Sequence, residues 1–229
     1  MSNYLFLDTE TTGVEETDRL FEVAYIAGDL AVEALYTPAE NKKMPLMATS
    51  ITDVTDEMLE GKPLFKDSLE YKELELLLQT HILVAHNAKF DVDMLEKEGL
   101  KVPQYIDTLK LAHRLPEAES IETFKLNYLR HYYKIPNSGG ALHRALTDTE
   151  YLRSVFEKLT GELKMTDEEM MTVTREMLIP IKIRFGMHAG KRWDELEKQY
   201  VIWIRDKSTM DQETKAVANY YLTGQKTLV

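Results

Sequence analysis

The chain reads as an α/β protein, a mixed sheet flanked by helices, followed by a small C-terminal module. Three observations predict this class. Strand patterns at about 3–8, 20–28 and 31–37 come first, the last two alternating and joined by a tight Gly28-Asp29 turn. From about residue 52 onward strand and helix patterns alternate, an order that places helices on both faces of a sheet. Past Pro180 the composition shifts to a short basic segment rich in Trp and Tyr.

Taken in order, Tyr4-Leu5-Phe6-Leu7 is an apolar run of buried-strand type that ends on Asp8-Thr9-Glu10. A helix is expected from about Thr52 to Glu60, with Thr52 or Asp53 as its cap, and another from about Phe65 to Gln79, where leucines recur at helical spacing. Ile82-Leu83-Val84-Ala85 is a short apolar strand. Asn87 to Glu98 turns helical and stops at Gly99. Tyr105-Ile106-Asp107 is a strand end, followed by helices over about Thr108–Arg114 and Phe124–Tyr133, the latter stopped before Pro136. Asn137-Ser138-Gly139-Gly140 is a loop. A helix starting at Thr147 or Asp148 is expected to end near Leu159, at Gly161. Thr166-x-x-Glu169 is a capping box opening a Met-rich helix over about Asp167–Met177, its methionines read as core filler. The expected divisions are a main domain over 1–164, a connecting helix over 165–179 and the module over 180–229. Trp193, Tyr200, Trp203, Tyr220 and Tyr221 are read as the core of that module in preference to a base-stacking surface.

With 229 residues the chain can bury a real core without staples. No apolar run approaches the ~20 residues of a membrane span, and the first strand begins with no signal-peptide pattern ahead of it. Zero cysteines exclude disulfides and thiolate metal sites and fit a cytoplasmic protein. The formal net charge is −11, unevenly spread. The segment 180–229 carries nine Lys/Arg against six Asp/Glu, a net of +3, and everything before Pro180 carries a net of −14. Such a distribution suits short contact with a strand end better than a long basic track along nucleic acid.

Three segments hold acids where a solvated surface charge explains them poorly: Asp8-Thr9-Glu10, His86-Asn87-Ala88-Lys89-Phe90-Asp91 and His143-Arg144-Ala145-Leu146-Thr147-Asp148. Asp8 and Glu10 are two apart on a strand and therefore project together. Adjacent anions repel unless protons or a cation sit between them. With hard oxygen ligands the expected cation is Mg2+ or Mn2+. Each segment alone has a plain reading: a turn before Gly13, a helix cap near Asn87, a structural histidine at 143.

Their order and spacing together resemble the DEDDh 3′–5′ exonuclease family. Its three motifs appear complete as Asp8/Glu10, Asp91 and His143-x4-Asp148. The sister subclass carries a tyrosine four residues before the last aspartate, where this chain has Arg144. Ala48 to Leu59 resembles the family segment that packs on the terminal nucleotide. Arg184-Phe185-Gly186-Met187-His188-Ala189-Gly190-Lys191 with Tyr200-Val201-Ile202-Trp203-Ile204 is similar to the tail of its exonuclease X branch. Met187 and His188 replace the lysine and aromatic usual between those glycines.

The resemblance implies the ribonuclease H-like fold and a two-metal phosphodiesterase. In that scheme Asp8 bridges two Mg2+ or Mn2+ ions, Glu10 and Asp148 complete one site, Asp91 supports the other, and His143 is the general base. It further implies that Thr11, Ile51, Met58, Asn87 and Phe90 hold the substrate. The activity expected is 3′–5′ exodeoxyribonuclease action on DNA 3′ ends in repair or proofreading. RNA ends are the alternative substrate, and a homodimer stays open. A non-catalytic nucleic-acid adaptor on the same fold is the competing class, and it should lack a ligand; none is lost. His86 follows a buried strand directly and is read as structural.

Overall fold

The computed structural model describes residues 3–38, 43–137 and 144–226. The chain divides after Thr174 into two compact units.

The first unit is built on a five-stranded sheet. β1 (Tyr4–Thr11), β2 (Leu20–Ala27) and β3 (Leu30–Leu35) form an antiparallel meander. β4 (Ile82–Ala85) joins β1 in parallel and β5 (Tyr105–Asp107) joins β4, giving the order β3-β2-β1-β4-β5. Strand pleating sorts side chains onto two faces. Leu5, Leu7, Leu83 and Ala85 enter one core, while Phe6, Val84 and Ile106 enter the other. The expectation of a mixed sheet covered by helices is met.

Helices α1 (Leu46–Thr52) and α2 (Asp56–Leu59) follow the meander, and Ala48, Val54 and Leu59 pack with Phe21 in a small satellite core. The expected helix over Thr52–Glu60 is therefore replaced by two shorter ones. Thr52 ends a helix instead of capping one: its hydroxyl donates to the Ala48 carbonyl at 3.0 Å, and Asp53 takes a left-handed φ of 57° that closes the helix behind it. α3 (Leu69–Leu77) and α4 (Lys89–Lys97) contribute Leu74, Val92 and Leu95 to the core that holds Leu5 and Leu7. α5 (Thr108–Ala112), α6 (Leu126–Tyr132), α7 (Ala145–Leu163) and α8 (Asp167–Arg175) supply Leu111, Leu129, Leu152, Val155, Phe156, Met170 and Met171 to the other. α7 passes through Gly161 and closes at Lys164, which takes the left-handed conformation at φ 51°. A lone glycine costs a helix only ~1 kcal/mol, less than the leucines on either side gain by packing.

The second unit contains α9 (Lys198–Asp206) and α10 (Gln212–Thr223). Its core is Ile183, Trp193, Val201, Ile204, Val217 and Ala218. Among the described residues, no helix of either unit is long and apolar enough to cross a membrane.

Candidate active site

The pleat that puts Phe6 into the α7-side core places Asp8 and Glu10 on that same face. Asp148 stands in the first turn of α7, with its N–H bonded to the Arg144 carbonyl at 3.1 Å. Ligand oxygens of Asp8, Glu10 and Asp148 all lie within 4.8 Å of one another. Segments from opposite ends of the first unit's sequence thus converge because β1 and α7 pack together.

Thr9 alternates to the opposite face, where α4 begins. Asp91, in the first turn of α4 and buried, accepts both the Thr9 N–H (3.1 Å) and the Thr9 hydroxyl (2.8 Å) on Oδ1. It stands behind the three-carboxylate cluster as a fourth acid, close enough to be the strongest charge acting on Asp8.

The electrostatics are those of a site built for cations. Burial, then Asp91, Glu10, Asp148 and Glu22, hold the Asp8 carboxyl well above the usual carboxylate range. Burial, followed by Glu22, Asp148 and Asp91, pushes Glu10 up to about 8 against an opposing pull from Arg144. Burial pushes Asp91 up to about 7, against the two Thr9 hydrogen bonds. Converging oxygen donors that repel one another and include no thiolate fit a hard divalent ion.

A fifth acid is one that motif reasoning missed. Glu22 is fully buried in β2, directly opposite Glu10 in the strand register. Its Oε1 accepts from Arg144 Nε at 3.0 Å, and Arg144 also reaches Glu33 on β3 at 3.5 Å. Glu22 Oε2 has no hydrogen-bond donor among the described residues. Burial raises Glu22 to about 7, with Arg144 opposing. The available signal was a lone charge inside the otherwise apolar run Leu20 to Ala27.

Around the cluster, Thr11 donates its hydroxyl to the Gly13 carbonyl at 2.9 Å, shaping the turn after β1. That turn demands glycine: a Cβ at Gly13 would lie 2.4 Å from Asp18 Oδ2, the carboxylate that accepts the Glu15 N–H. Ile51 and Met58 are 48% and 39% exposed, so neither is core. Asn87 is exposed with a left-handed φ of 65°, its N–H donating to Asp107 at 3.0 Å, and Phe90 is partly buried. Lys89 pairs with Asp93 at 2.7 Å. His86 contacts the Thr108 hydroxyl at 2.9 Å and the Phe124 carbonyl at 2.8 Å, and burial lowers it to about 4. Both ring nitrogens are therefore engaged within the fold. His143 lies outside the described residues.

An exonuclease family model matches residues 5–156, a span that takes in all four clustered acids. The DNA polymerase III epsilon subunit of Rickettsia typhi is 30% identical over 224 residues, covering 85% of this chain and 92% of the relative. Among solved structures, exonuclease X in complex with 5′ overhanging duplex DNA is 25% identical with a TM-score of 0.61, covering 75% of this chain and 99% of that one. Escherichia coli exonuclease I in complex with a dT13 oligonucleotide shares the fold at 18% identity and a TM-score of 0.59, over 72% of this chain and 42% of its own. The chain therefore belongs to the exonuclease family and is a 3′–5′ exonuclease, a phosphodiester hydrolase.

Proposed function

We propose that the chain releases 5′-mononucleotides from DNA 3′ ends by two-metal hydrolysis, with Mg2+ or Mn2+, in cytoplasmic DNA repair or proofreading. The observation that carries this reading is the convergence of Asp8, Glu10 and Asp148 within 4.8 Å, with Asp91 behind them. Bound divalent ions would lower the pKa of the attacking water and neutralise charge on the departing oxygen.

The protein's own residues do the rest. Asp8, Glu10 and Asp148 would hold one ion, and Asp91 would help to hold the second. Arg144, pinned by Glu22 and Glu33, offsets the surplus of anions beside Glu10. His143, five residues ahead of Asp148, accepts the proton of the attacking water; its ordinary pKa of ~6.5 suits a base at neutral pH. Exposed Ile51 and Met58, with Phe90, pack on the terminal bases. The Thr11 backbone bonds the terminal 3′-hydroxyl, and Asn87 contacts a phosphate or holds its loop. DNA is favoured as substrate because the relatives named above are a DNA polymerase subunit and an exonuclease bound to DNA.

The test uses 5′-labelled and 3′-labelled DNA and RNA oligonucleotides of one sequence, with Mg2+, Mn2+ or EDTA. A ladder from 5′-labelled DNA, mononucleotide release from 3′-labelled DNA, and silence in EDTA are expected. Trimming of RNA alone would move the substrate to RNA, and release of free phosphate would make the enzyme a phosphatase.

A further inference from the structure

The second unit divides its aromatic residues in two. Trp193 is 2% exposed and stacks on Tyr221 at 5.5 Å and 9° inside the core. Trp203 is 50% exposed. Helix α9 buries Val201 and Ile204, exposes Trp203 and leaves Tyr200 half-buried against the edge of that core, while exposed Lys207 follows directly after the helix. The Tyr200 and Trp203 rings lie nearly parallel, 20° apart with centroids at 5.8 Å. Tyr200 is fixed from behind: the His188 ring meets it edge-on at 4.5 Å, and a Cβ at Gly186 would come within 3.2 Å of its hydroxyl. The backbone brings two exposed lysines close along the chain: the Lys191 N–H bonds the carbonyl of His188 at 3.0 Å, and the Lys207 N–H bonds the carbonyl of Trp203 at 2.9 Å.

We propose that Tyr200 and Trp203 form a stacking shelf for an unpaired DNA base, with Lys191 and Lys207 flanking it for the adjoining phosphates. This deepens the nuclease reading and rests on DNA being the substrate. Charge complementarity favours a polyanionic strand as the occupant: the segment 180–229 carries +3, while the remainder of the chain carries −14. That acidic remainder offers a polyanion little long-range attraction, and affinity for a strand must come from elsewhere. A half-exposed tryptophan backed by a near-parallel tyrosine, with lysines close along the chain, is the kind of device that binds single strands without reading sequence.

The experiment uses the full chain with 5′-fluorescein dT15 in EDTA, where hydrolysis stops and binding remains. Trp203→Ala is expected to weaken binding about 5- to 160-fold, the range of a single base–aromatic stack. Trp203→Phe keeps a ring and should keep most of the affinity, while losing the tryptophan quenching that unlabelled dT15 produces in the wild type. Equal affinity of Trp203→Ala and wild type overturns the shelf. So does an equal loss in the alanine and phenylalanine variants, which would mark a packing defect. A change in sedimentation of Trp203→Ala with unaltered DNA affinity also overturns it, assigning the surface to a second copy of the chain. The nuclease reading fails by a different result, a wild type that leaves the 3′ end of the same oligonucleotide intact with Mg2+.

Discussion

In the metal-free protein the Glu10 carboxyl titrates near 8, against an ordinary value of 4.5, because it is buried beside Glu22, Asp148 and Asp91. The folded state therefore holds a proton that the unfolded chain releases. Stability from this group is complete below about 4.5 and is lost as pH rises through about 8. By pH 7 the loss amounts to roughly 3 kcal/mol, at 1.36 kcal/mol for each unit of pH crossed. Glu10→Gln keeps the shape and removes the titration. It should raise the melting temperature of the metal-free first unit at pH 7, by up to roughly 10 °C for a protein of this size, and change it little at pH 4. Metal reverses the ranking. Divalent ions that bind only the folded state stabilise the wild type by mass action, and the variant has lost a ligand. Melting in EDTA and in 10 mM Mg2+ across pH 4–8.5 reads both effects. A Glu10→Gln chain that melts below wild type in EDTA at pH 7, or gains as much from Mg2+, would refute the reasoning.

Two other predictions concern residues around the carboxylates. His143→Ala should slow hydrolysis about 10²–10⁴-fold with its melting temperature unchanged, whereas His86→Ala should destabilise by about 1–3 kcal/mol in urea unfolding by stranding the Phe124 carbonyl; rate loss without destabilisation at His86 would mean the wrong base is named. Arg144→Met should cost about 1–3 kcal/mol because it leaves buried Glu22 without its hydrogen-bond donor. The Glu22→Gln/Arg144→Met double variant should recover most of that in the same unfolding assay, and additive losses would show that the pair is not coupled.

Much of the sheet and site was legible in the sequence. The apolar run Ile82 to Ala85 is too short for a helix and is bounded by polar residues, which favours a strand, and strand alternation put Asp8 and Glu10 on one face. The acids were findable because motif order constrains them even though Asp8 and Asp148 lie far apart along the chain. The Glu22–Arg144 pair was not, since it depends on a register between β1 and β2 and on where α7 begins. Thr52 misled because a threonine before acids looks like a helix start, whereas Asp53 adopts the left-handed turn of a helix end. Trp193 and Trp203 are equivalent as letters; only the packing of α9 sends one inward and leaves the other half-exposed.

The central claim, that these carboxylates hold a pair of divalent ions for hydrolysis, is tested most directly by counting them. Mn2+ titrated into the wild type with thymidine 5′-monophosphate present should bind at two ions per chain, with a spin-coupled paramagnetic resonance spectrum. Asp148→Asn, folded by circular dichroism, should lose the coupled signal and the activity together. A single uncoupled ion in the wild type, or an unchanged pair in Asp148→Asn, would contradict the account.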